Sequence, residues 1–320
     1  MSQPWNSPDR DITPESVFLS RRRWLGLGAT ALGLSVIGGG LYGRFRPGTA
    51  AEVLGTEQDT PAGADLYPAA LNSEFEKAGR PMTASDTAAR HTNFYEFSSL
   101  KDVWRHVGPF RPNPWQVEIT GMVARPRTYD LDDLMRAFPL EERVYRLRCV
   151  ERWAMVIPWT GFPLAALLRQ AEPQAGAKYV RFVSFQRPSE ASQQRNTSQP
   201  WPYTEGLTLA EATNPLAFIA TGIYGKPLLK QHGAPVRLVV PWKYGFKSGK
   251  SIVRIELTDE QPATFWNTIQ PHEYDFEANV DPDKPHPRWS QKVEEMLGTK
   301  VLHATTKYNG YGEWVAKLYG

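Results

Sequence analysis

The chain has one cysteine in 320 residues, Cys149. A lone cysteine forms no internal disulfide, and it excludes a CxxC zinc site, a CxxCH haem attachment and an iron–sulfur cluster held by the chain's own thiolates. The six histidines (His91, His106, His232, His272, His286 and His303) form no HxH or HExxH pair, which argues against a histidine-rich zinc or iron site. No GxGxxG or GxxxxGK[ST] stands between a strand and a helix, so nicotinamide and P-loop nucleotide binding have little to rest on. An excess of one charge sign is lacking as well. The formal net charge is +3, without a Lys/Arg tract longer than Arg21–Arg23, which gives non-specific nucleic-acid binding weak support. Nor is there a repeat at a fixed period.

Apolar and aromatic residues are plentiful. At 41% hydrophobic with eleven tryptophans the chain can bury a core, while 27 prolines predict many loops and few long helices. The segment SRRRWLGLGATALGLSVIGGGLYG sets Arg21, Arg22 and Arg23 ahead of an apolar run rich in glycine and alanine. It resembles a twin-arginine export signal, its run being less hydrophobic than an ordinary spanning helix. That route carries proteins already folded, often with a cofactor inserted, through the twin-arginine translocase to the periplasm. We expect the signal at 1–45, a signal tail, linker and extended lead-in at 46–90, and the folded catalytic domain at 91–320. No A-x-A follows the apolar run directly and Ala62-Gly63-Ala64 is a late candidate, so an uncleaved anchor stays open.

Within the domain, alternation predicts strands at 115–123, 144–149, 179–185, 236–242 and 251–258. Helical spacing predicts helices at 130–138, 161–171, 208–214 and 290–298. The order is irregular, which fits a mixed α+β fold with long functional loops better than a doubly wound parallel sheet.

Three stretches could carry chemistry. Cys149 follows a predicted strand among Arg146, Arg148 and Arg152, cations that favour a thiolate, which is both a nucleophile and a soft metal ligand. The competing reading is a small buried hydrophobe. KYGFKSGK combines Lys243, Lys247 and Lys250 with Gly245 and Gly249, and His232 and Arg237 lie just upstream. Backbone N–H groups at glycines and the lysine charges suit a phosphate cradle; a solvated basic hairpin is the alternative. In HTNFYEFSS, Tyr95 and Glu96 could hydrogen-bond a heterocycle or belong to a packed aromatic corner. PHPRWSQ (285–291) and YNGYGEW (308–314) receive no role from spacing alone.

Together NFYEF, RLRCVERWAMVIPWTGFPL, GAPVRLVVPWKYGFKSGKSI and HPRWSQ resemble the sulfite-oxidase-like molybdoenzymes, and among them the bacterial enzymes that reduce methionine sulfoxide in periplasmic proteins. The likeness runs from about Pro81 to the C-terminus. It implies a mixed-sheet molybdopterin-binding domain and a molybdenum held by the pterin dithiolene and one protein cysteine, Cys149. It further implies cofactor contacts at Tyr95, Glu96, Arg237, Ser248, Gly249 and Lys250, and at Thr92, Ser184 and His232, one molybdenum–molybdopterin per chain. Thr92 and His232 depart from a family asparagine and Ser184 from a family threonine. We expect no haem domain before the core and no dimerisation domain after it. The resemblance therefore implies a monomeric catalytic subunit that takes electrons from a haem-binding membrane subunit and the quinone pool, with oxidised periplasmic proteins as substrate. Two other classes stay open: a cysteine hydrolase using Cys149 with His232 as base, and an exported binding protein without turnover.

Overall fold

The computed structural model describes residues 61–320, so the expected export signal lies outside the described residues. In chain order the strands are β1 (Ala70–Leu71), β2 (Gln116–Gly121), β3 (Arg127–Asp130), β4 (Glu141–Arg148), β5 (Trp153–Pro163), β6 (Tyr179–Ser184) and β7 (Thr204–Thr208). There follow β8 (Phe218–Ile223), β9 (Lys226–Pro227), β10 (Arg237–Val239), β11 (Ile252–Thr258), β12 (Val293–Met296) and β13 (Leu302–Ala304). The helices are short: α1 (Ser85–Arg90), α2 (Leu131–Arg136), α3 (Leu164–Ala171), α4 (Leu209–Ala212), α5 (Phe265–Ile269) and α6 (Gly312–Val315).

The strands form two mixed sheets. One runs β3-β2-β11-β6-β7, with β2 and β11 parallel and the other neighbours antiparallel. The other is built on the antiparallel pair β4–β5, flanked by β1 beside β4 and by β12–β13 and β8 beside β5. One apolar core joins both: Val117, Ile119, Val180 and Phe182 from the first sheet pack in it with Tyr145, Ile157, Phe162 and Phe218 from the second. Burying each such side chain contributes about 1.5–3 kcal/mol. The stretch before residue 91 docks here too, with β1 paired to β4 and Phe75 inside the core.

The expected mixed α+β fold is therefore the observed one. The predicted strands appear as β2, β4, β6, β10 and β11, and three of the four predicted helices as α2, α3 and α4. Helix α3 buries Leu164, Leu167, Leu168 and Ala171, the one-sided spacing that marked it, and Thr208 and Glu211 close a reciprocal capping box on α4. The fourth expectation fails. SQKVEEMLG holds strand β12, because Glu294 points inward beside Met296 and is paired there by Arg148 and Arg80.

Two connections bring the site together. β4 and β5 are joined by the tight turn Cys149–Arg152, closed by Cys149 N–H to Trp153 O (2.9 Å) and Arg152 N–H to Cys149 O (3.0 Å). The lysine loop is not a hairpin: β10 pairs with β8 in one sheet and β11 with β2 and β6 in the other, so KYGFKSGK crosses between sheets.

Candidate functional site

The Cys149 turn opens into a cavity that, together with the solvent-open space at its mouth, spans about 910 Å³. Its walls come from four places: residues 91–96 after α1, the Cys149 turn with the start of β5, the His232–Arg237 segment, and the lysine loop, with Trp266 and Tyr274 beyond. Among the expected site residues, Thr92, Tyr95, Glu96, Cys149, His232, Arg237 and Lys250 all line it. Ser184, Ser248 and Gly249 stand behind the wall. Ser184 Oγ donates to Lys250 O (2.7 Å), Ser248 Oγ accepts from Val240 N–H (3.2 Å), and Gly249 O accepts from Leu238 N–H (2.9 Å).

Cys149 is 4% exposed. Its Sγ accepts from Glu151 N–H (3.4 Å) and from Asn93 Nδ2 (3.5 Å), and Glu151 Oε2 stands 3.6 Å away. Burial, then the Glu151 carboxylate, pushes the thiol up to about 12, and Lys101, the Glu151 N–H and Arg148 offset only part of this. The neighbouring arginines do not generate a thiolate, because all three are spent on structure. Arg148 is fully buried against Glu294 Oε2 (2.8 Å), Arg146 Nε donates to Ala78 O (2.5 Å), and Arg152 Nε donates to Val293 O (3.4 Å). Without a bound cation the sulfur is a protonated, soft donor, and a metal is what displaces that proton.

Two of the three loop lysines are likewise structural. Lys243 Nζ is buried against Glu211 (2.5 Å), Glu277 O (2.7 Å) and Asn279 Oδ1 (2.9 Å), and Lys247 Nζ is paired with Glu205 (2.8 Å). The phosphate-cradle expectation therefore narrows to Lys250. It has no ion pair among the described residues, and neither has Arg237, whose guanidinium donates to the carbonyls of His232 (2.7 Å) and Ser248 (3.4 Å). Burial, then the Arg237 charge, brings Lys250 down to about 7, with Glu96 partly restoring it; burial alone brings Arg237 down to about 9. Glu96 is raised to about 7 by burial, its own backbone N–H and Lys250 opposing. Gly233, at φ +94°, lets the chain pass the Lys250 stem; a Cβ there would stand 2.7 Å from its Cβ and Cγ.

These walls fit a polar, anionic cofactor. Thr92 Oγ1, Asn93 Oδ1, His232 Nδ1 and Trp159 Nε1 belong to lining residues, are buried, and have no hydrogen-bond partner among the described residues. Buried polar groups are otherwise almost always paired. His232 is neutral, brought down to about 4 chiefly by burial; its Nε2 donates to Ala88 O (3.2 Å), leaving Nδ1 as an acceptor. No hydrogen bond joins it to Cys149 among the described residues, so the thiolate–imidazole pair that a cysteine hydrolase requires is not formed.

The sequence reading passed over several wall residues. Asn93 and Glu151 lie inside the motifs already singled out, and Lys101 Nζ holds Glu151 at 2.6 Å. Trp266 and Tyr274, ring centroids 5.1 Å apart, continue an aromatic wall with Tyr95 (4.9 Å from Trp266) and Phe246 (5.2 Å from Tyr274). Nothing in their spacing marked them.

A mixed-sheet domain that sets one soft sulfur and two unpaired cations around a cofactor-sized cavity is of the molybdopterin-binding oxidoreductase class. In agreement, the family model described as oxidoreductase molybdopterin binding domain matches residues 105–266. Over 318 residues the chain is 46% identical to the protein-methionine-sulfoxide reductase catalytic subunit MsrP of Burkholderia mallei, covering 98% of this chain and 92% of that one. The MsrP proteins of Ralstonia nicotianae (46%, covering 98% and 93%) and Pseudomonas syringae pv. tomato (45%, covering 98% and 94%) match comparably. The chain belongs to this family of protein-methionine-sulfoxide reductase catalytic subunits. Among solved structures, the sulfane dehydrogenase SoxCD of Paracoccus pantotrophus is similar at a TM-score of 0.44 and 17% identity, covering 78% of this chain and 60% of that one.

Proposed function

We propose that the chain is the molybdenum-dependent catalytic subunit that reduces methionine sulfoxide residues in periplasmic proteins, exported by the twin-arginine route. It would carry one cofactor and receive electrons from a haem-binding membrane subunit and the quinone pool. The single observation that carries the reading is the buried Cys149 thiol facing a cavity whose lining cations, Arg237 and Lys250, have no ion pair among the described residues. Family membership supports the reaction, and the arginine-led N-terminal segment supports the export route.

Converting a sulfoxide to a thioether and water takes up two electrons and two protons; a lone thiol could supply them once by becoming a sulfenic acid, but this chain has no second cysteine to restore it. A bound molybdenum cofactor supplies the two-electron oxygen acceptor. Cys149 Sγ would ligate the metal, giving up its proton as it does so. Lys250 and Arg237 would hold the phosphate, their charges then compensated. Thr92, Tyr95, Glu96 and His232 would take the heterocycle, while Ser184 fixes the Lys250 backbone from behind and Ser248 and Gly249 tie the loop to Val240 and Leu238. Trp266, Tyr274 and Phe246 offer ring faces and edges to the S-methyl end of the substrate, contacts that suit a polarisable sulfur.

Elemental analysis and electron paramagnetic resonance on protein exported with its cofactor test this. We expect stoichiometric molybdenum, a Mo(V) signal that disappears in Cys149→Ala, and reduced-dye turnover of methionine sulfoxide lost with it. Purified protein without molybdenum, or equal turnover in the variant, would sink the reading.

A further inference from the structure

The geometry points to Gln291, from the unassigned PHPRWSQ motif, as a positioning residue that fixes the Cys149 turn from outside the cavity. The inference rests on Cys149 being the metal ligand.

A four-residue turn at a hairpin tip is by itself a poor mount for a metal ligand, which needs its support locked by packing and hydrogen bonds. Here three of the turn's carbonyls are held, two of them by groups from residues 289–295 and the third by the side chain of the preceding Arg148. Val150 O accepts from Gln291 Nε2 (2.9 Å) and from Trp289 Nε1 (2.8 Å). Arg152 O accepts from Glu295 N–H (2.9 Å), and Cys149 O accepts from Arg148 Nη1. Gln291 ties these contacts together, because its Oε1 accepts from Arg148 Nη2 (2.8 Å) while its amide nitrogen holds Val150. Both ends of that amide are thereby committed, and Gln291 and Arg148 are 1% and 0% exposed. Glu294 Oε2 fixes Arg148 from its other side (2.8 Å). Arg152 completes the turn at φ +75°, a conformation that side chains other than glycine adopt only when their surroundings enforce it.

The brace therefore runs from residues 289–295 to the backbone on both sides of Sγ without touching the cavity's contents. Its work is to limit where the sulfur can sit. Outer partners of metal ligands are worth on the order of 10–100-fold in metal affinity or activity when removed.

Gln291→Leu and Trp289→Phe in the full-length, cofactor-loaded protein test it. Trp289→Phe keeps the ring stack on His286 and loses one of the two donors to Val150 O. We expect molybdenum content to hold in both, a Mo(V) spectrum that broadens or shifts in g-values more in Gln291→Leu than in Trp289→Phe, and kcat falling on the order of tenfold at unchanged KM in Gln291→Leu. Amide hydrogen exchange at Arg152 should quicken in the same order. Arg80→Met is the control. Arg80 also pairs with Glu294 but reaches none of the turn carbonyls, so it should lower Tm without moving the spectrum. Parental spectra in both turn variants would overturn the inference, as would equal spectral change in Arg80→Met. If Gln291→Leu does not fold, Trp289→Phe decides alone. A parent protein without molybdenum would instead refute the proposed function.

Discussion

Replacing Lys250 with methionine should move two quantities in opposite directions. In the cofactor-free protein the ammonium lines the cavity without an ion pair, beside the equally unpaired Arg237. It holds its proton only to about pH 7 when folded, against 10.5 in its ordinary state. Between those values the unfolded chain binds more protons, so stability rises with pH through that window and the full penalty stands below it. Glu96, raised from 4.5 to about 7, runs the other way: the folded state binds more protons, and stability falls as pH rises through that interval. At about 1.4 kcal/mol per pK unit the lysine's penalty is bounded near 5 kcal/mol, and solvent screening of this half-buried side chain brings it to roughly 3 kcal/mol. At pH 6 the cofactor-free Lys250→Met protein should therefore melt about 4–6 °C higher than the parent, and the alkaline rise in stability should vanish. Loading should suffer. Losing one charge-assisted hydrogen bond costs about 1.5–3 kcal/mol, roughly 10–150-fold in cofactor retention. Thermal melts across pH on cofactor-free protein, with molybdenum per chain after gel filtration of loaded protein, read both. A variant that loads fully, or whose cofactor-free form melts below the parent, would refute the reasoning.

Two further predictions follow from buried groups. His232→Asn places the residue that the resemblance leads one to expect; it should leave molybdenum content and sulfoxide turnover within about threefold, whereas a hydrolase with His232 as base would lose its general-base contribution of about 10²–10⁴-fold. Turnover assays with both substrate types separate the outcomes. Glu294→Gln leaves the buried Arg148 and the half-buried Arg80 against a neutral amide, so Tm should fall by about 4–6 °C, matching a loss of about 3 kcal/mol; an unchanged melt would show that the ion pairs carry no net stability.

What the sequence disclosed, and what it withheld, follows from where the information resides. Alternation and one-sided helical spacing are local, and they marked β2, β6, β11 and α3 correctly. β5 escaped because WAMVIPWTGFP is buried on both faces and interrupted by Pro158, which leaves no alternation to see. The proline is tolerated in the gap between β12, paired at Trp153 and Ala154, and β8, paired from Trp159 onward, where that edge demands no ladder bond. β12 was misread for a related reason: an inward glutamate looks like surface until its arginine partners, 146 and 214 residues away in sequence, are known. The same long-range pairing decides which cations of the site are free. Three arginines around Cys149 and three lysines in one loop looked alike in sequence, and only the carboxylates and carbonyls brought to them by the fold, Glu294 for Arg148, Glu211 for Lys243 and Glu205 for Lys247, separate structural charge from available charge. Lys250 and Arg237 are left available because, among the described residues, no carboxylate closes an ion pair with either, Glu96 acting on Lys250 only through its nearby charge. A cofactor pocket in this chain is thus defined as much by which charges go uncompensated as by which residue types its motifs contain.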